Sequence, residues 1–182
     1  AEEKDAEKDE DGNAADSSKW RVDLSDSCIE GFIGRVACAM IGTLIASNTS
    51  LQTLDLSNTG VGQAIASEGE GGHILLRPMC ESDVCPLSEI ILTNIQLNDK
   101  AGQKLMSALT TGLGKGDCGY EKITALNLSQ NELGKGFITA LKQMLWGERA
   151  PCMLQTLDIS NNPTLDGYET AIAIKRNESL TS

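Results

Sequence analysis

Five stretches of the chain repeat one pattern of apolar residues. The common pattern is apolar-x-x-apolar-x-Leu/Ile, and successive copies lie 32, 36, 36 and 31 residues apart. A unit of this size cannot bury its apolar face alone, so copies of it stack on one another into a solenoid. The stretches are WRVDLSDSCI, LQTLDLSNTGV, LSEIILTNIQL, ITALNLSQNEL and LQTLDISNNPTL, and the copies start at Lys19, Leu51, Leu87, Ile123 and Leu154.

Each copy predicts a short strand followed by a helix. Within the repeated stretch apolar residues alternate with polar ones, which is typical of a strand with one buried face. The residues after it place apolar side chains three and four positions apart, which indicates a helix with one apolar stripe. That spacing runs from Phe32 to Ile45 in the first copy, Ala101 to Leu109 in the third, Phe137 to Leu145 in the fourth and Ala171 to Ile174 in the fifth.

The predicted fold class is α/β, because parallel strands need a crossover connection and the helices supply it. We expect a curved solenoid with parallel strands on the concave face and helices on the convex face. Asn98 and Asp99 precede the third helix and Gly134 precedes the fourth, as suits helix starts. The second copy is rich in Gly and Pro, so its helix should be short and lie within 71–79. Extra residues around 62–72, 80–86 and 112–121 are expected to form loops.

Charge separates the start of the chain from the rest. The formal net charge is −11, and residues 1–16 hold eight acids against two lysines, a net of −6. Such a run is too polar to fold, so residues 1–18 are predicted to be a disordered acidic tail before a repeat domain at 19–182. An acidic chain without a basic aromatic patch repels phosphate, which argues against nucleic acid as a direct ligand.

The sequence also bears on the compartment. No apolar run reaches the roughly 18 residues of a membrane span, and the charged N-terminus lacks the apolar region of a signal peptide. The six cysteines contain no C-x-x-C pair and are expected to be reduced thiols, although Cys80 and Cys85 could pair in an oxidising compartment. We therefore expect a cytoplasmic protein. The first residue is Ala and the last copy runs out at Ser182 without a clear cap, which is compatible with an excerpt of a longer array.

The segments LQTLDLSN, ITALNLSQNELGKG and LQTLDISNN resemble leucine-rich repeats, and the period and helical second half resemble the ribonuclease-inhibitor-like class. The style is closest to the repeats of CARMIL and tropomodulin actin regulators. The Asn of the repeat motif is present as Asn131 and Asn162 but is replaced by Ser27, Thr59 and Ile95 in the first three copies. The resemblance implies a protein-interaction scaffold. Other functions within its range are an actin-regulator fragment, a structural subunit of a large assembly, and a GTPase regulator like the Ran GTPase-activating protein.

Catalytic chemistry has little support in the sequence. The single histidine, His73, has no acid paired with it in a recognisable motif, and no phosphate-binding, dinucleotide-binding or zinc-protease motif occurs. The stretch GLGKGDCG at 112–119 lacks the spacing of a phosphate-binding loop. We therefore expect a non-enzymatic chain with no cofactor and no metal.

The concave face remains as the candidate site. Strand residues that alternate with the core positions should point to solvent. They form a mildly acidic groove suited to a basic protein segment, with Trp20 and Ile91 as apolar anchors. A plain solvated surface is the competing interpretation, and the insertions at 62–86 and 112–121 are the competing site. Reversal of Asp55 and Asp158 to Lys is expected to weaken binding and leave thermal stability nearly unchanged. The candidate residues are Trp20, Arg21, Asp23, Asp26, Asp55, Asn58, Glu89, Ile91, Asn127, Asp158 and Asn161.

Overall fold

Five parallel strands form one sheet in chain order, and each is followed by a helix. The computed structural model describes residues 20–29, 31–66, 74–76, 78, 82, 84–110, 123–146, 154–175 and 180–181. The strands are β1 (Trp20–Asp23), β2 (Leu51–Asp55), β3 (Glu89–Ile91), β4 (Ala125–Asn127) and β5 (Thr156–Asp158). The helices are α1 (Gly31–Ala46), α2 (Val61–Ala66), α3 (Asp99–Thr110), α4 (Lys135–Trp146) and α5 (Gly167–Lys175).

The core lies between the sheet and the helices. Leu54, Ile90, Leu126 and Leu157 pair in register across β2 to β5, and the first three are almost fully buried. They join helix residues such as Phe137 in one continuous hydrophobic cluster. Side chains alternate between the two faces of a strand, so the period-two pattern places every repeated Leu/Ile on the helix side. The mixed α/β fold and the five-stranded parallel arrangement are therefore confirmed.

Buried asparagines join adjacent copies after β4 and β5. The amide oxygen of Asn131 accepts hydrogen bonds from the backbone nitrogens of Ile95 and Leu97 at 3.1 and 3.0 Å. Its amide nitrogen donates to the carbonyl oxygens of Leu92, Leu128 and Ser129. Asn162 links the fourth and fifth copies by the same kind of contacts. These bonds satisfy backbone groups that would otherwise be buried without partners.

The asparagine ladder is incomplete in the earlier copies, as predicted. The Thr59 hydroxyl is buried and makes one short local bond, to the carbonyl oxygen of Leu56 at 2.7 Å. Ile95 is fully buried and has no polar side-chain atom to offer. The second and third copies therefore rely more on apolar packing at this position than the fourth and fifth do.

The second copy departs from the prediction. Helix α2 begins directly at Val61, where the sequence indicated a loop from residue 62. Val61, Gly62, Ala64 and Ile65 are all buried, because small side chains let this short helix lie close to the next copy. A Cβ on Gly62 would lie 2.5 Å from the carbonyl oxygen of Ile95, so only glycine fits there. Residues 74–76 and 78 are helical, within the predicted 71–79; the other residues of that range, His73 included, lie outside the described part.

Asp99 connects two consecutive helices. It is the first residue of α3, yet its carboxylate accepts hydrogen bonds from backbone nitrogens at the start of the next helix, α4. The donors are Gly134, just before the helix, at 3.0 Å, and Gly136 and Phe137 in its first turn, at 2.9 and 2.7 Å. The first N–H groups of a helix have no partner within it and carry partial positive charge. An anion from the preceding copy therefore caps α4. Asn98 caps α3 in the ordinary way, accepting a bond from the Ala101 nitrogen.

In the part of the chain that the structure describes, no helix is both long and apolar enough to cross a membrane. The described cysteines are thiols. Cys28, Cys38 and Cys85 are free, and burial raises the pKa of the Cys38 thiol to about 11. Cys38 is thus a protonated core residue at neutral pH. Cys80 lies outside the described residues.

Replacing Asp99 by Ala should lower the free energy of unfolding by about 2–3 kcal/mol, because three backbone donors lose a charged acceptor in a partly buried site. The control is Asp166→Ala, which removes an exposed cap at α5 that accepts two bonds from its own helix. We expect the control to cost about 1 kcal/mol. Urea unfolding measures both, and equal costs would contradict the cross-copy role of Asp99.

Candidate partner-binding face

The side of the sheet opposite the helices forms the candidate site, here called the outer sheet face. Strand register aligns its residues in columns, and one column contains Asp23, Asp55, Ile91, Asn127 and Asp158. The predicted column of acids with Asn127 among them is confirmed. A second column contains Arg21, Thr53, Glu89, Ala125 and Thr156. The parallel sheet therefore brings the same repeat position of every copy together.

The aspartate and asparagine side chains of the first column form turns at the ends of their strands. The Oδ1 atoms of Asp23, Asp55, Asn127 and Asp158 each accept a bond from the backbone nitrogen two residues later, at 2.9–3.0 Å. The serine hydroxyl at that later position also donates to the same oxygen in the first three cases. Asp and Asn commonly form such local turns. These side chains therefore have a structural role that the solvent-facing interpretation missed.

Ile91 interrupts this column, and its neighbours compensate. Ile91 cannot accept a hydrogen bond, so the turn after β3 lacks the side-chain acceptor of the other copies. The hydroxyl of Thr93 instead donates to the Oδ1 of Asn127 at 3.0 Å in the next copy and approaches the Ser129 hydroxyl at 3.2 Å. Ile91 itself is half-buried, which limits the apolar area it offers as an anchor.

The expectation that Asp55 points freely into solvent is wrong. Its side chain is only 8% exposed, and the Arg21 guanidinium forms an ion pair with it while also bonding Asp23 at 3.3 Å. Parallel register stacks like charges on adjacent strands, and one arginine between two carboxylates offsets their repulsion. Thr53, also expected to face solvent, is 8% exposed and donates to the Glu89 carboxylate at 2.8 Å.

The hydrogen bonds from Ser25 and the charge of Arg21 lower the pKa of Asp23, whose side chain is about half exposed. A lowered folded-state pKa means that the stabilising effect is present above the unfolded-state pKa and is lost as the pH falls through the folded-state value. Asp23 therefore stabilises the strand end at neutral pH and ceases to do so in acid.

The remaining candidate residues are accessible to different degrees. Trp20 is 65% exposed at the start of β1, so it can serve as the predicted apolar anchor. Glu89 and Asp158 are half-buried, and Asp26, Asn58 and Asn161 are exposed. Asn58 accepts a bond from the Asn94 amide at 2.9 Å. The face thus keeps a smaller set of available acids than the sequence indicated, because Asp55 is already paired.

Sequence reasoning missed a polar groove at the rim of this face. The groove, here called the amide groove, encloses about 610 Å³, and amide side chains dominate its lining: Gln63, Asn94, Gln96, Asn98, Gln130, Asn131 and Asn161, with Glu132. Of the candidate residues named from the sequence, only Asn161 lies in it.

A sequence signal for the amide groove was present. Each copy has Asp, Asn or Gln two positions after the last repeated Leu/Ile, and all five adopt positive φ: Asp26, Asn58, Asn94, Gln130 and Asn161. Asn and Asp tolerate this left-handed conformation better than most residues. The backbone nitrogens of the first four donate to a carbonyl oxygen of the following copy at 2.8–3.1 Å. The repeated polar residue therefore marks a turn that directs its side chain along the rim.

The competing insertion site lies mostly outside the described residues. Of 62–86, residues 62–66 belong largely to the buried part of α2, and 112–121 falls wholly outside. The indole nitrogen of Trp146 donates to the Ala173 carbonyl oxygen of α5 at 2.9 Å, so this side chain joins α4 to α5. Among the residues with described coordinates, no group of three or more His, Cys, Asp or Glu side chains could hold a metal ion.

A comparison with protein-family models gives a match within the second copy. Residues 47–68 match a family model described as a leucine rich repeat, and these residues contain β2 and α2. A search of curated proteins finds no match to the chain. Together with the repeated strand–helix copies, the match supports a leucine-rich repeat protein, a class whose repeated surfaces typically bind other proteins.

Two aspartates of the first column, Asp55 and Asp158, should differ in their effect on stability. Asp55→Ala removes two hydrogen bonds from Ser57 and the partner of Arg21, so we expect a loss of about 2–3 kcal/mol. The sequence-based expectation that a change at Asp55 leaves stability nearly unchanged is therefore wrong, because this side chain is buried and paired. Asp158→Ala removes one bond to the Ser160 nitrogen in a more exposed site, and about 1 kcal/mol should be lost. Chemical denaturation tests this difference. A smaller loss for Asp55→Ala would show that its burial and pairing do not stabilise the fold.

Proposed function

We propose that this chain is a non-catalytic protein-interaction module, a scaffold that binds a basic segment of a partner protein on the outer sheet face. We further propose that the copies form a curved solenoid of the ribonuclease-inhibitor-like class, with this face on its concave side. The observation that supports the proposal most is that polar side chains of the two columns are held in fixed positions along the sheet.

Preorganisation is the first support. The column residues Asp23, Asp55, Asn127 and Asp158 are held by bonds to their own turns, and Glu89 is held by Thr53. Side chains that are fixed before binding lose little conformational entropy when a partner arrives. An ordered set of polar side chains of this kind favours recognition of a protein surface.

Charge is the second support. Arg21 is the one basic residue in the two columns described above, and it is already engaged with Asp23 and Asp55. Glu89, Asp158 and Asp26 remain as acids along the face, and Glu132 adds another in the amide groove. Complementary charge accelerates association and excludes acidic competitors. A lysine- or arginine-rich segment therefore fits this surface best.

The amide groove extends the same surface. Carboxamide side chains carry both donors and acceptors, as does the peptide backbone that they would meet. Gln130 and Asn161 are exposed at the rim between the fourth and fifth copies. We infer that a bound segment lies with basic side chains over Glu89 and Asp158 and with its backbone against the groove.

A double variant that neutralises two acids tests the outer sheet face without removing the hydrogen bonds that these side chains make. Glu89→Gln keeps an acceptor for Thr53, and Asp158→Asn keeps the turn, because Asn127 makes the same turn naturally in β4. Peptides selected from a random display library on the folded chain supply the ligand. We expect basic sequences to be enriched, and their affinity for the double variant to fall roughly tenfold with the melting temperature nearly unchanged.

The matched control carries the same charge change on the helical layer. Asp166→Asn retains a good helix cap, and Glu169→Gln removes one surface ion pair with Lys142. Peptide affinity should stay within about twofold of the unchanged chain, since rim and remote charges act weakly through solvent. Enrichment of acidic or uncharged peptides, or equal losses in both double variants, would refute the outer sheet face as the site.

A further inference from the structure

The free side of α1 has an unusual surface. Val36, Met40 and Leu44 are 45%, 60% and 67% exposed, and they follow one another at intervals of four, so they form a stripe along the helix. We call these three residues the α1 stripe. The opposite side of α1 faces the second copy: a Cβ on Gly34 would lie 3.1 Å from the Ala64 side chain, and one on Gly42 would lie 2.5 Å from the Leu75 carbonyl oxygen.

Interior copies show what such positions normally contact. Counted from the first residue of each helix, Val36 corresponds to Lys104 in α3 and Ala140 in α4, and Met40 corresponds to Ala108 and Met144. Lys104 reaches back to the Ala66 carbonyl oxygen at the end of α2, at 3.2 Å. The position therefore faces the preceding strand–helix unit. Ala108, Ala140 and Met144 are all at most 4% exposed.

The strand of the first copy is open on the same side. In the sheet that the described residues form, β1 is an edge strand, paired with β2 alone. At the opposite edge the chain covers itself: the Thr181 nitrogen donates to the Gln155 carbonyl oxygen at 2.8 Å, and Leu180 packs against the core. An exposed strand edge beside an apolar helix is a ready site for strand pairing.

We propose that this end binds a second copy of the chain, β1 against β1 and α1 stripe against α1 stripe, about a two-fold axis. The second molecule supplies the strand and helix that an interior repeat copy receives from the repeat copy before it. A two-fold contact closes on itself, whereas head-to-tail growth would meet the edge covered by Leu180 and Thr181. Arg35 is the sole charged residue within α1, so the two α1 helices themselves bring few like charges together.

Salt distinguishes this interface from the proposed partner site. The net charge of −6 on residues 1–16 lies shortly before β1 in sequence, so two copies bring two acidic segments toward each other. Screening by salt weakens that repulsion and leaves the apolar contact intact. Dimerisation should strengthen as salt is added, whereas binding of a basic segment on the outer sheet face should weaken. The dimer does not rest on the proposed function, and either can fail alone.

Sedimentation equilibrium of the full chain across the micromolar range tests the dimer. We expect a monomer–dimer equilibrium that tightens with added salt. The double variant Met40→Lys/Leu44→Lys should weaken dimerisation at least about tenfold, because it places four additional charges at a closed two-fold contact. The control Thr139→Lys/Gln143→Lys introduces the same two charges at the same spacing on exposed positions of α4 and should leave the equilibrium unchanged.

A chain that stays monomeric throughout, or a dimer that the stripe variant leaves intact, would overturn the proposal. So would a dimer that the control weakens equally. Removal of residues 1–16 gives a test that needs no change in α1, and the dimer should then tighten at low salt. Unchanged or weaker association of the shortened chain at low salt would also count against the head-to-head arrangement.

Discussion

Parallel register is the constraint on which the rest of the structure depends. Each strand pairs with the next so that the same repeat position lies side by side in every copy. Leucine and isoleucine at the repeated positions therefore stack into one core, and polar residues at the alternating positions stack into columns. The same register aligns the turn residues with positive φ, whose backbone nitrogens bond to the following copy. A repeated sequence thus becomes a repeated set of contacts between copies.

The register also explains why the outer sheet face is less open than its sequence implies. Identical acids on adjacent parallel strands would repel one another at close range. The chain avoids this by binding carboxylates to their own turns, by placing Arg21 between Asp23 and Asp55, and by inserting Ile91 and Asn127 before the next acid. The same acidic side chains therefore stabilise the sheet and provide the charge that would attract a partner. Those already bonded within the sheet are less available, so only part of the column can bind.

The sequence predicted those features that follow from local periodicity. The five strands, the helices α1, α3 and α4, and the column containing Asp55, Asn127 and Asp158 all follow from spacing. Helix α2 was missed because VGQAIA is short, small and glycine-containing, and it is stabilised by packing against the next copy rather than by propensity. The burial of Asp55 and the capping of α4 by Asp99 depend on residues 34 to 38 positions away, which no local pattern specifies. The amide groove had a visible signal in the recurring Asn and Gln residues.

Amide hydrogen exchange measured by NMR tests the stacked register most directly. The backbone nitrogens of Leu56, Leu92 and Leu128 each donate to a carbonyl oxygen of the following copy, at 2.9, 2.8 and 2.7 Å. All three residues are fully buried. If adjacent copies unfold as one cooperative unit, these three amides should be the slowest to exchange and should share one opening free energy near that of global unfolding. Fast exchange at any one of them, or clearly separate opening free energies, would contradict a single continuous sheet.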